Sequence, residues 1–228
     1  MDSVPHHIGF IMDGNRRWAR GKGLPTFEGH QKGYEKLKEV GDWCFSRGVK
    51  VLTAFAFSTE NWNRTKEEVS FLMNLLHFAM SKETDEFMRR NIQVRLIGRA
   101  EGLPENIQIA AREMEEKTKK NERGLLQLAV NYGGHAEIVD AVRAIVQKGL
   151  RPEDIDEKVV AAHLYGSDVP PPDLIVRTSG EQRLSGFLTW QSAYSELHFT
   201  QTHWPDFSEA DLDMALQAYV ARERRFGR

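Results

Sequence analysis

Three short apolar segments of the sequence each end in charged and hydroxyl residues. They lead into Asp13-Gly14-Asn15-Arg16-Arg17, into Ser58-Thr59-Glu60-Asn61-Trp62-Asn63-Arg64, and into Arg177-Thr178-Ser179-Gly180-Glu181-Gln182-Arg183-Leu184-Ser185. Guanidinium groups and hydroxyls match the oxygen atoms of phosphates, and the amides at a helix start add further donors. If the three segments end at one place, the clusters predict a diphosphate site there.

The carboxylate of Asp13 would repel a bound diphosphate unless a cation lay between them. Mg²⁺ suits that position, because it is commonly held by one or two carboxylates together with phosphate oxygens and water. Glu60, Glu181 and Glu196 are the candidates for a second carboxylate. The sequence therefore predicts that a diphosphate binds here together with magnesium.

Each of these features also has a purely structural explanation. Asp13-Gly14 is a common turn and helix-cap pair, loop arginines are usually solvated, and Trp62 can close the edge of a sheet. The sequence contains no GxxxxGK[ST] loop, no GxGxxG fingerprint and no HExxH helix that would indicate a standard nucleotide or zinc site. The joint placement of the clusters after three separate strands is what favours ligand binding.

Short β-branched or apolar runs alternate with longer amphipathic segments, which is the pattern of helices covering a mostly parallel sheet. The predicted strands are His7 to Met12, Val49 to Ser58, Gln93 to Gly98, Leu125 to Asn131 and Leu174 to Thr178. The predicted helices are Gly29 to Ser46, Lys66 to Arg90, Pro104 to Asn121, His135 to Lys148 and Ser208 to Phe226. We expect one α/β domain over residues 1–228, with a mostly parallel central sheet of about six strands flanked by helices. Ligands of such sheets bind beyond the carboxyl ends of the strands, so the three polar clusters are expected to meet there.

The predicted helix that begins at Lys66 carries apolar residues on two faces. One face consists of Val69, Leu72, Met73 and Leu76, and much of another consists of Phe71, Leu75, Phe78 and Ala79. Two apolar faces need two apolar neighbours. The second neighbour is either a partner subunit or an apolar pocket that the helix lines.

Composition excludes several classes of protein. The 31 basic and 33 acidic residues give a net charge of -2, so a broad electrostatic grip on nucleic acid is not expected. Cys44 is the only cysteine, which excludes an internal disulfide and suits a reducing compartment. No apolar stretch approaches the roughly 20 residues of a membrane span, and the N-terminus lacks a signal-peptide pattern. We expect a cytoplasmic protein without a transmembrane segment.

Nearly the whole sequence resembles the cis-prenyltransferases of the undecaprenyl diphosphate synthase type. The resemblance is carried, in family order, by HHIGFIMDGNRRWAR, FEGHQKGYEKL, AFAFSTENWNR, NYGGHAEIVDAV, DLIVRTSGEQRLSGFLTWQSAYSELHF, WPDF and RERRFGR. It implies a homodimer in which an apolar tunnel lies against the sheet. It also implies that isopentenyl diphosphate units are added, each with a cis double bond, to an allylic primer such as farnesyl diphosphate.

The resemblance assigns roles residue by residue. Asp13 matches the magnesium-associated aspartate, and Glu196 matches the acidic residue that helps to hold the metal. The allylic diphosphate cradle comprises Gly14, Asn15, Arg16, Arg17 and Trp18, with His30 beside it. A mobile segment that closes over the substrates comprises Ser58, Glu60, Asn61, Trp62 and Arg64, of which Asn61 is also expected to act in catalysis. Arg177, Arg183 and Ser185 match the isopentenyl diphosphate clamp, and Arg225 belongs to an Arg-x-Gly tail that reaches the partner's site.

Some positions depart from the family pattern. Many relatives have an arginine four residues before the histidine of the Gly-His pair, as a contact to the allylic phosphate, whereas this chain has Thr26. Either primer affinity is weaker, or Arg16 or Arg20 replaces that contact. Gln182 stands where some relatives have a histidine beside the metal. The small Ala56 and the lack of an extra segment after Met80 favour a product of medium length.

The resulting hypothesis is a Mg²⁺-dependent transferase that makes undecaprenyl diphosphate or a near relative. A short-chain cis-prenyl diphosphate synthase and a non-catalytic accessory subunit are the alternatives within the family. A metal-dependent phosphoesterase is the alternative outside it, because a carboxylate, Mg²⁺ and arginines also suit that chemistry. Release of the lipid product implies peripheral contact with a membrane.

Overall fold

Six parallel strands form the central sheet of the computed structural model, which describes residues 4–222. They are β1 (His7–Ile11), β2 (Val51–Ser58), β3 (Ile92–Ile97), β4 (Gly124–Tyr132), β5 (Leu174–Arg177) and β6 (Glu196–Phe199), in the order β3-β4-β2-β1-β5-β6. The predicted α/β fold with about six strands is confirmed. The five predicted strands are present, and β6 follows the last polar cluster at one edge.

Helices cover both sides of the sheet. They are α1 (Asn15–Gly21), α2 (Thr26–Ser46), α3 (Lys66–Lys82), α4 (Thr84–Arg89), α5 (Glu105–Thr118), α6 (Gly134–Gln147), α7 (Glu157–Ala161) and α8 (Glu209–Ala221). Short 3₁₀ turns occupy Thr59–Asn63, Pro152–Asp154, Gln191–Tyr194 and Trp204–Asp206. The predicted continuation of the last helix to Phe226 lies outside the described residues.

The single helix predicted from Lys66 to Arg90 is wrong, because the chain bends at Glu83 and forms α3 and α4. Two hydroxyls near the bend compete for backbone carbonyls. Ser81 Oγ donates to the carbonyl of His77, and Thr84 Oγ1 donates to the carbonyl of Met80, both over 2.7 Å. Such bonds to the fourth preceding carbonyl weaken the backbone ladder and bend helices.

Burial explains why β1 lies at the centre of the sheet. All five of its residues are buried, including His7 at its first position. Ile8 and Phe10 pack into the larger core cluster, on the side that also holds residues of α2, α3, α5 and α8. Ile11 packs into a smaller cluster on the other side, with Tyr132 and others. Full burial of a side chain such as Ile8 or Phe10 contributes about 1.5–3 kcal/mol, so β1 is held firmly between its neighbours.

The strand register brings the polar clusters to one edge of the sheet. Phe10 pairs with Ala54 of β2, and Ile11 pairs with Arg177 of β5. All three strands run in the same direction, so the loops that follow them leave from the same edge. The sequence prediction that the three clusters share one edge therefore agrees with the topology.

Candidate active site

A pocket rich in guanidinium groups lies at the carboxyl end of β1, and we call it the anion pocket. It is lined by Met12, Asp13, Gly14, Asn15, Arg16, Arg17, Arg20, His30 and Arg64. Four of the lining residues are arginines and one is a carboxylate, and this surplus of positive charge favours an anionic ligand. Seven of the predicted site residues are in this set.

Asp13 links the anion pocket to the buried Arg177. Its Oδ2 atom accepts a hydrogen bond from Arg177 Nη2 over 2.9 Å and forms an ion pair with Arg17 Nη2 at 3.1 Å. Burial raises the pKa of the Asp13 carboxyl, but the hydrogen bonds and charges of Arg177 and Arg17 outweigh burial, so the pKa is lowered. Asp13 is therefore ionised at neutral pH and holds two arginines in place.

The backbone after Asp13 turns tightly, and Gly14 makes that turn possible. Gly14 has φ of 107°, and a Cβ atom there would lie 2.8 Å from Ser179 Oγ and 2.9 Å from His203 Nδ1. Ser179 itself has φ of 77°, and its Oγ atom lies 2.6 Å from His203 Nδ1. A side chain at position 14 would be strained by its backbone and would displace this pair.

Arg177, Arg183 and Ser185 form a second cluster beside the anion pocket, which we call the clamp cluster. Arg177 is only 4% exposed and donates through Nη1 to the Arg183 carbonyl and, over 2.8 Å, to Ser185 Oγ. The Arg183 guanidinium is exposed and pairs with Glu181, which also pairs with Arg17 at 3.3 Å. Asp13 and Glu181 thus connect the two clusters, and two diphosphates bound there would be neighbours.

Glu68 is the acidic partner of the anion pocket's far wall. Its Oε1 atom accepts from Arg64 Nη1 over 2.8 Å and from His30 Nε2 over 3.0 Å, and Arg16 Nε lies 3.9 Å away. Burial lowers the pKa of His30 more than Glu68 raises it, so His30 is neutral and donates from Nε2. Burial raises the pKa of Glu68, but His30, Arg64 and Arg16 together lower it below its usual value. Glu68 is therefore a carboxylate that orients the neutral imidazole of His30 and the guanidinium of Arg64.

An apolar cavity opens from the anion pocket and runs between α2, α3 and the sheet. The two share Met12, Asn15 and His30. The cavity wall includes Leu37, Ala56, Leu72, Leu75, Leu76 and Leu128. The placement of the small Ala56 beside this space agrees with its expected role.

The prediction that α3 uses two apolar faces is correct only in part. Leu75 and Ala79 of the expected pocket face line the cavity, together with Leu72 and Leu76 of the other face. Phe71 instead contacts Phe27, and Phe78 is 44% exposed. The side of α3 that lines the cavity thus combines residues of both predicted faces, because α3 packs against both α2 and α5.

Several predicted residues do not line the anion pocket. Trp18 stacks under the Lys22 ammonium, 4.4 Å from its ring centroid, and Glu60 is exposed. Asn61 Oδ1 accepts from the Ser58 amide over 3.1 Å and so caps the 3₁₀ turn. Trp62 Nε1 donates to Asn131 Oδ1 over 2.8 Å. Asn61 and Trp62 thus hold the segment after β2 in its present shape, and the roles of all four side chains toward substrate stay predictions.

Glu196 lies away from Asp13 within one chain. It pairs with Leu174 at the amino-terminal end of β5, three residues before the pairing of Arg177 with Phe199. Three residues of strand span about 10 Å, and Asp13 lies beyond the far end of that distance. Glu196 is instead paired with Arg222. The expected metal pair of Asp13 and Glu196 is therefore not formed within one chain, and Glu181 is the candidate carboxylate nearest to the site, across Arg17.

The site fits a magnesium ion that is bound jointly with substrate. Within residues 4–222, no three histidine, cysteine or acidic side chains come together as a metal site. Both arginine contacts of Asp13 are made to Oδ2, which leaves Oδ1 for another ligand. Since Mg²⁺ often takes one carboxylate and completes its shell with phosphate oxygens and water, Asp13 alone is a sufficient protein ligand.

Glu68 and Arg20 belong to the site, although the sequence pattern gives neither residue a firm role. Glu68 follows Thr65 by three residues, and Thr65 Oγ1 accepts from the Glu68 amide over 3.3 Å. That spacing is typical of a helix N-cap, so the sequence indicates a structural role for Glu68. It gives no indication of the contact between Glu68 and His30. Arg20 lines the anion pocket beside Arg16, one turn further along α1. The predicted Arg225 lies outside the described residues.

Comparisons with known proteins agree on one family. Residues 11–227 match the family model described as putative undecaprenyl diphosphate synthase. The chain is 50% identical to an isoprenyl transferase of Thermotoga maritima, over 98% of this chain and 97% of that protein. It is 48% identical to a geranylgeranyl-diphosphate-specific tritrans,polycis-undecaprenyl-diphosphate synthase of Methanopyrus kandleri, over 99% and 85% of the two chains. Among solved structures, lavandulyl diphosphate synthase of Lavandula x intermedia with dimethylallyl diphosphate superposes with a TM-score of 0.95 at 40% identity, over all of both chains.

Proposed function

The chain belongs to the undecaprenyl diphosphate synthase family of isoprenyl transferases, and from this premise we propose how its two basic clusters divide the reaction. The protein is a transferase that condenses isopentenyl diphosphate with an allylic diphosphate primer and leaves a cis double bond. The primer's diphosphate binds in the anion pocket. Isopentenyl diphosphate binds at the clamp cluster, where Arg183 and Ser185 are within reach of its phosphates.

The observation that carries this assignment is the shared boundary of the anion pocket and the apolar cavity. Met12, Asn15 and His30 line both. A ligand with a charged head and an apolar tail fits that boundary, because its diphosphate meets arginines while its hydrocarbon chain leaves water. A phosphoesterase for small polar substrates has no use for the cavity.

The chemistry follows from the charges around the scissile bond. Cleavage of the allylic C–O bond moves negative charge onto the departing diphosphate, and Arg16, Arg17 and Arg64 stabilise that charge more in the transition state than in the ground state. The neighbouring clamp cluster holds the second substrate, so its alkene carbon is positioned near the allylic carbon. Proximity of the two substrates then supplies much of the remaining acceleration.

We also propose that the reaction depends on Mg²⁺ held by Asp13 and diphosphate oxygens. When bound, the ion neutralises part of the charge on the leaving diphosphate. Asp13 contributes further by fixing Arg17 and the buried Arg177, which tie the two clusters together. Titration with EDTA should abolish turnover, and added Mg²⁺ should restore it.

The proposed primer is farnesyl diphosphate and the proposed product is a polyprenyl diphosphate of medium length. Ala56 supports this, because it leaves space in the cavity wall beside the sheet. One relative is described as specific for geranylgeranyl diphosphate. Competition between farnesyl, geranylgeranyl and dimethylallyl diphosphates for the enzyme therefore decides the primer.

The test is to incubate the purified protein with farnesyl diphosphate, labelled isopentenyl diphosphate and Mg²⁺, and to size the lipid products. We expect label in products several isoprene units longer than the primer. Release of phosphate without elongation would support the phosphoesterase alternative, and no reaction by folded protein would support an accessory subunit.

A homodimer is part of the proposal. Val139, Val142 and Val146 lie on one side of α6 and are 45%, 49% and 68% exposed, and such an apolar stripe is suited to a partner surface. No helix within residues 4–222 is long and apolar enough to cross a membrane. We propose a cytoplasmic enzyme that touches the membrane peripherally to release product. Sedimentation of wild type and Val142→Glu tests the dimer, and flotation with lipid vesicles tests the contact.

A further inference from the structure

Glu137 is a buried acid that has no part in the proposed reaction so far. It lies in the first turn of α6 and is 0% exposed. Its Oε1 atom accepts hydrogen bonds from the Tyr165 backbone amide and from Gln191 Nε2, both over 2.9 Å. Its Oε2 atom accepts from the Tyr132 hydroxyl over 2.5 Å. A buried carboxylate is unfavourable unless donors surround it, so these contacts keep Glu137 in one orientation.

Gln191 connects this acid to the loop that carries part of the clamp cluster. We call residues 183–191 the clamp loop, because they include two of the three residues of that cluster. A second contact lies at the start of α6, where the Gly134 amide donates to the Gly186 carbonyl over 2.7 Å. A Cβ atom on Gly134 would lie 2.6 Å from that carbonyl oxygen. The start of α6 and the clamp loop are therefore in close contact.

The backbone of the clamp loop is strained. Ser185, Gly186 and Leu188 have φ of 52°, 77° and 45°, in the left-handed region. Residues other than glycine are strained there, and such conformations persist only where the surroundings hold them. Phe187 is buried and stacks on Phe55 of β2, with the ring centroids 4.9 Å apart. This stacking and the two contacts with α6 therefore hold the loop in its strained shape.

We propose that Glu137, acting through Gln191, is a positioning residue for the isopentenyl diphosphate site. This inference rests on the proposed function, in which the clamp cluster binds that substrate, and it adds a residue that acts without touching substrate. Arg177 Nη1 donates to the Ser185 hydroxyl over 2.8 Å, so the place of Ser185 beside Arg177 depends on the shape of the clamp loop. Without the contact at Gln191, the loop adopts other conformations, and the substrate has to order it on binding.

Gln191→Met is the sharpest test, because methionine is flexible and carries no amide, and Glu137 keeps the Tyr132 hydroxyl and the Tyr165 amide. We expect KM for isopentenyl diphosphate to rise about fivefold, since a hydrogen bond to a charged group is lost. The primer's KM should change less than about twofold, because other residues line the anion pocket. The kcat should change less than about threefold, because bound substrate restores the shape of the loop.

Tyr132→Phe is the matched control. It removes a hydrogen bond to the same carboxylate and keeps the aromatic ring beside Phe187, whereas Glu137 keeps its bond to Gln191. Loss of this buried hydrogen bond should lower the urea midpoint of unfolding. The KM for isopentenyl diphosphate should nevertheless stay within about twofold of the wild-type value.

A double-mutant cycle tests whether Glu137 and Gln191 act together. If they act through one hydrogen bond, adding Gln191→Met to Glu137→Ala should raise KM for isopentenyl diphosphate no further than Glu137→Ala alone. Multiplied effects in the double variant overturn the proposal. If Glu137→Ala does not fold, the comparison of Gln191→Met with Tyr132→Phe still decides.

Steady-state kinetics separate the possible outcomes. A wild-type KM for isopentenyl diphosphate in Gln191→Met overturns the positioning role, and so does an equal rise of that KM in Tyr132→Phe. If wild-type protein forms no elongated product, the proposed function fails and the positioning role falls with it. If wild type elongates and Gln191→Met raises this KM while Tyr132→Phe does not, both stand.

Discussion

The two edges of the sheet use charge differently. At the carboxyl edge, four arginines line an open pocket and three acids, Asp13, Glu68 and Glu181, pair with them. At the amino-terminal edge, Asp42 and Glu86 balance the charges of Arg90 and Arg123 within one set of ion pairs. A surplus of positive charge attracts an anionic ligand, whereas balanced ion pairs give little such attraction. The comparison indicates that a surplus of positive charge distinguishes the candidate binding edge from the edge whose charges are paired.

Positive backbone φ angles occur at both edges of the sheet. The carboxyl edge contains Gly14 with φ of 107° and two non-glycine residues in the left-handed region, Ser179 at 77° and Ser185 at 52°. Such conformations cost of order 1–3 kcal/mol each and persist where the surroundings fix them, often at functional sites. At the amino-terminal edge, Asn91 before β3 has φ of 57°, whereas β1 begins at His7 in regular strand geometry.

The largest effect is expected from Asp13→Asn at the carboxyl edge. The variant loses the magnesium ligand and the charge that holds Arg17 and Arg177, so we expect kcat to fall by about a thousandfold, the upper range for loss of one group that stabilises transition-state charge. Asp206→Asn is the control, since Asp206 forms only an exposed pair with Lys22. Kinetics should be measured well below both unfolding transitions, because Arg177 becomes a buried cation without its acid. An Asp13→Asn enzyme that retains a tenth of wild-type kcat contradicts this assignment.

The next effect concerns stability at the amino-terminal edge. His7 donates from Nδ1 to the Pro170 carbonyl over 2.7 Å, and Nε2 lies 2.8 Å from Thr53 Oγ1. Burial, only partly opposed by Pro170 and Asp173, lowers the pKa of His7 to about 4. Between pH 6.5 and 4, His7 binds a proton in the unfolded chain but not in the folded chain. The free energy of unfolding therefore falls as pH falls, by up to about 3 kcal/mol.

Urea unfolding at pH 7.5 and pH 4.5 measures this loss. His30 and His198 also have lowered pKa values, chiefly through burial, so the slope is assigned by the difference between wild type and His7→Gln. The glutamine variant should lose most of about 3 kcal/mol of pH dependence. Equal pH dependence in the two proteins would show that His7 is not the responsible group.

A smaller effect is expected from Glu68→Gln. The substitution removes a counter-charge and so increases the surplus of positive charge in the anion pocket. Arg64 and Arg16 lose their counter-charge, so the primer's KM should fall about threefold. The kcat should fall about tenfold, because His30 and Arg64 are no longer held in position and tighter ground-state binding does not help the transition state. Glu67→Gln removes the same charge from an exposed neighbour and should change neither constant. A raised KM would show that orientation of Arg64 outweighs its charge.

The smallest effect is expected from Thr26→Arg. Arg16 and Arg20 both line the anion pocket. We expect them to replace the contact that relatives make from position 26, so the primer's KM should change less than about twofold. In an Arg16→Ala background the same substitution should lower KM. Tighter binding by Thr26→Arg in the wild-type background would show that neither arginine compensates.

Much of the fold and part of the site are readable from the sequence. The apolar runs locate five strands, and the residues that follow three of them supply the anion pocket and the clamp cluster. The bend at Glu83 was missed, because Ser81 and Thr84 act through local hydrogen bonds that do not interrupt the apolar pattern. The role of Glu196 toward a metal stays a prediction, because motif order does not give strand register, and the register separates Glu196 from Asp13 within one chain.

The sequence by itself determined which residue types stand at the ends of the strands, since strand position depends on local apolar patterning. Only the tertiary structure decided which of them meet. It placed Glu68 against His30, 38 residues away along the chain, and it brought Arg90 to the wall of a cavity that Asn15 also lines. Contacts between distant segments depend on how helices pack on the sheet, and packing is a property of the whole fold.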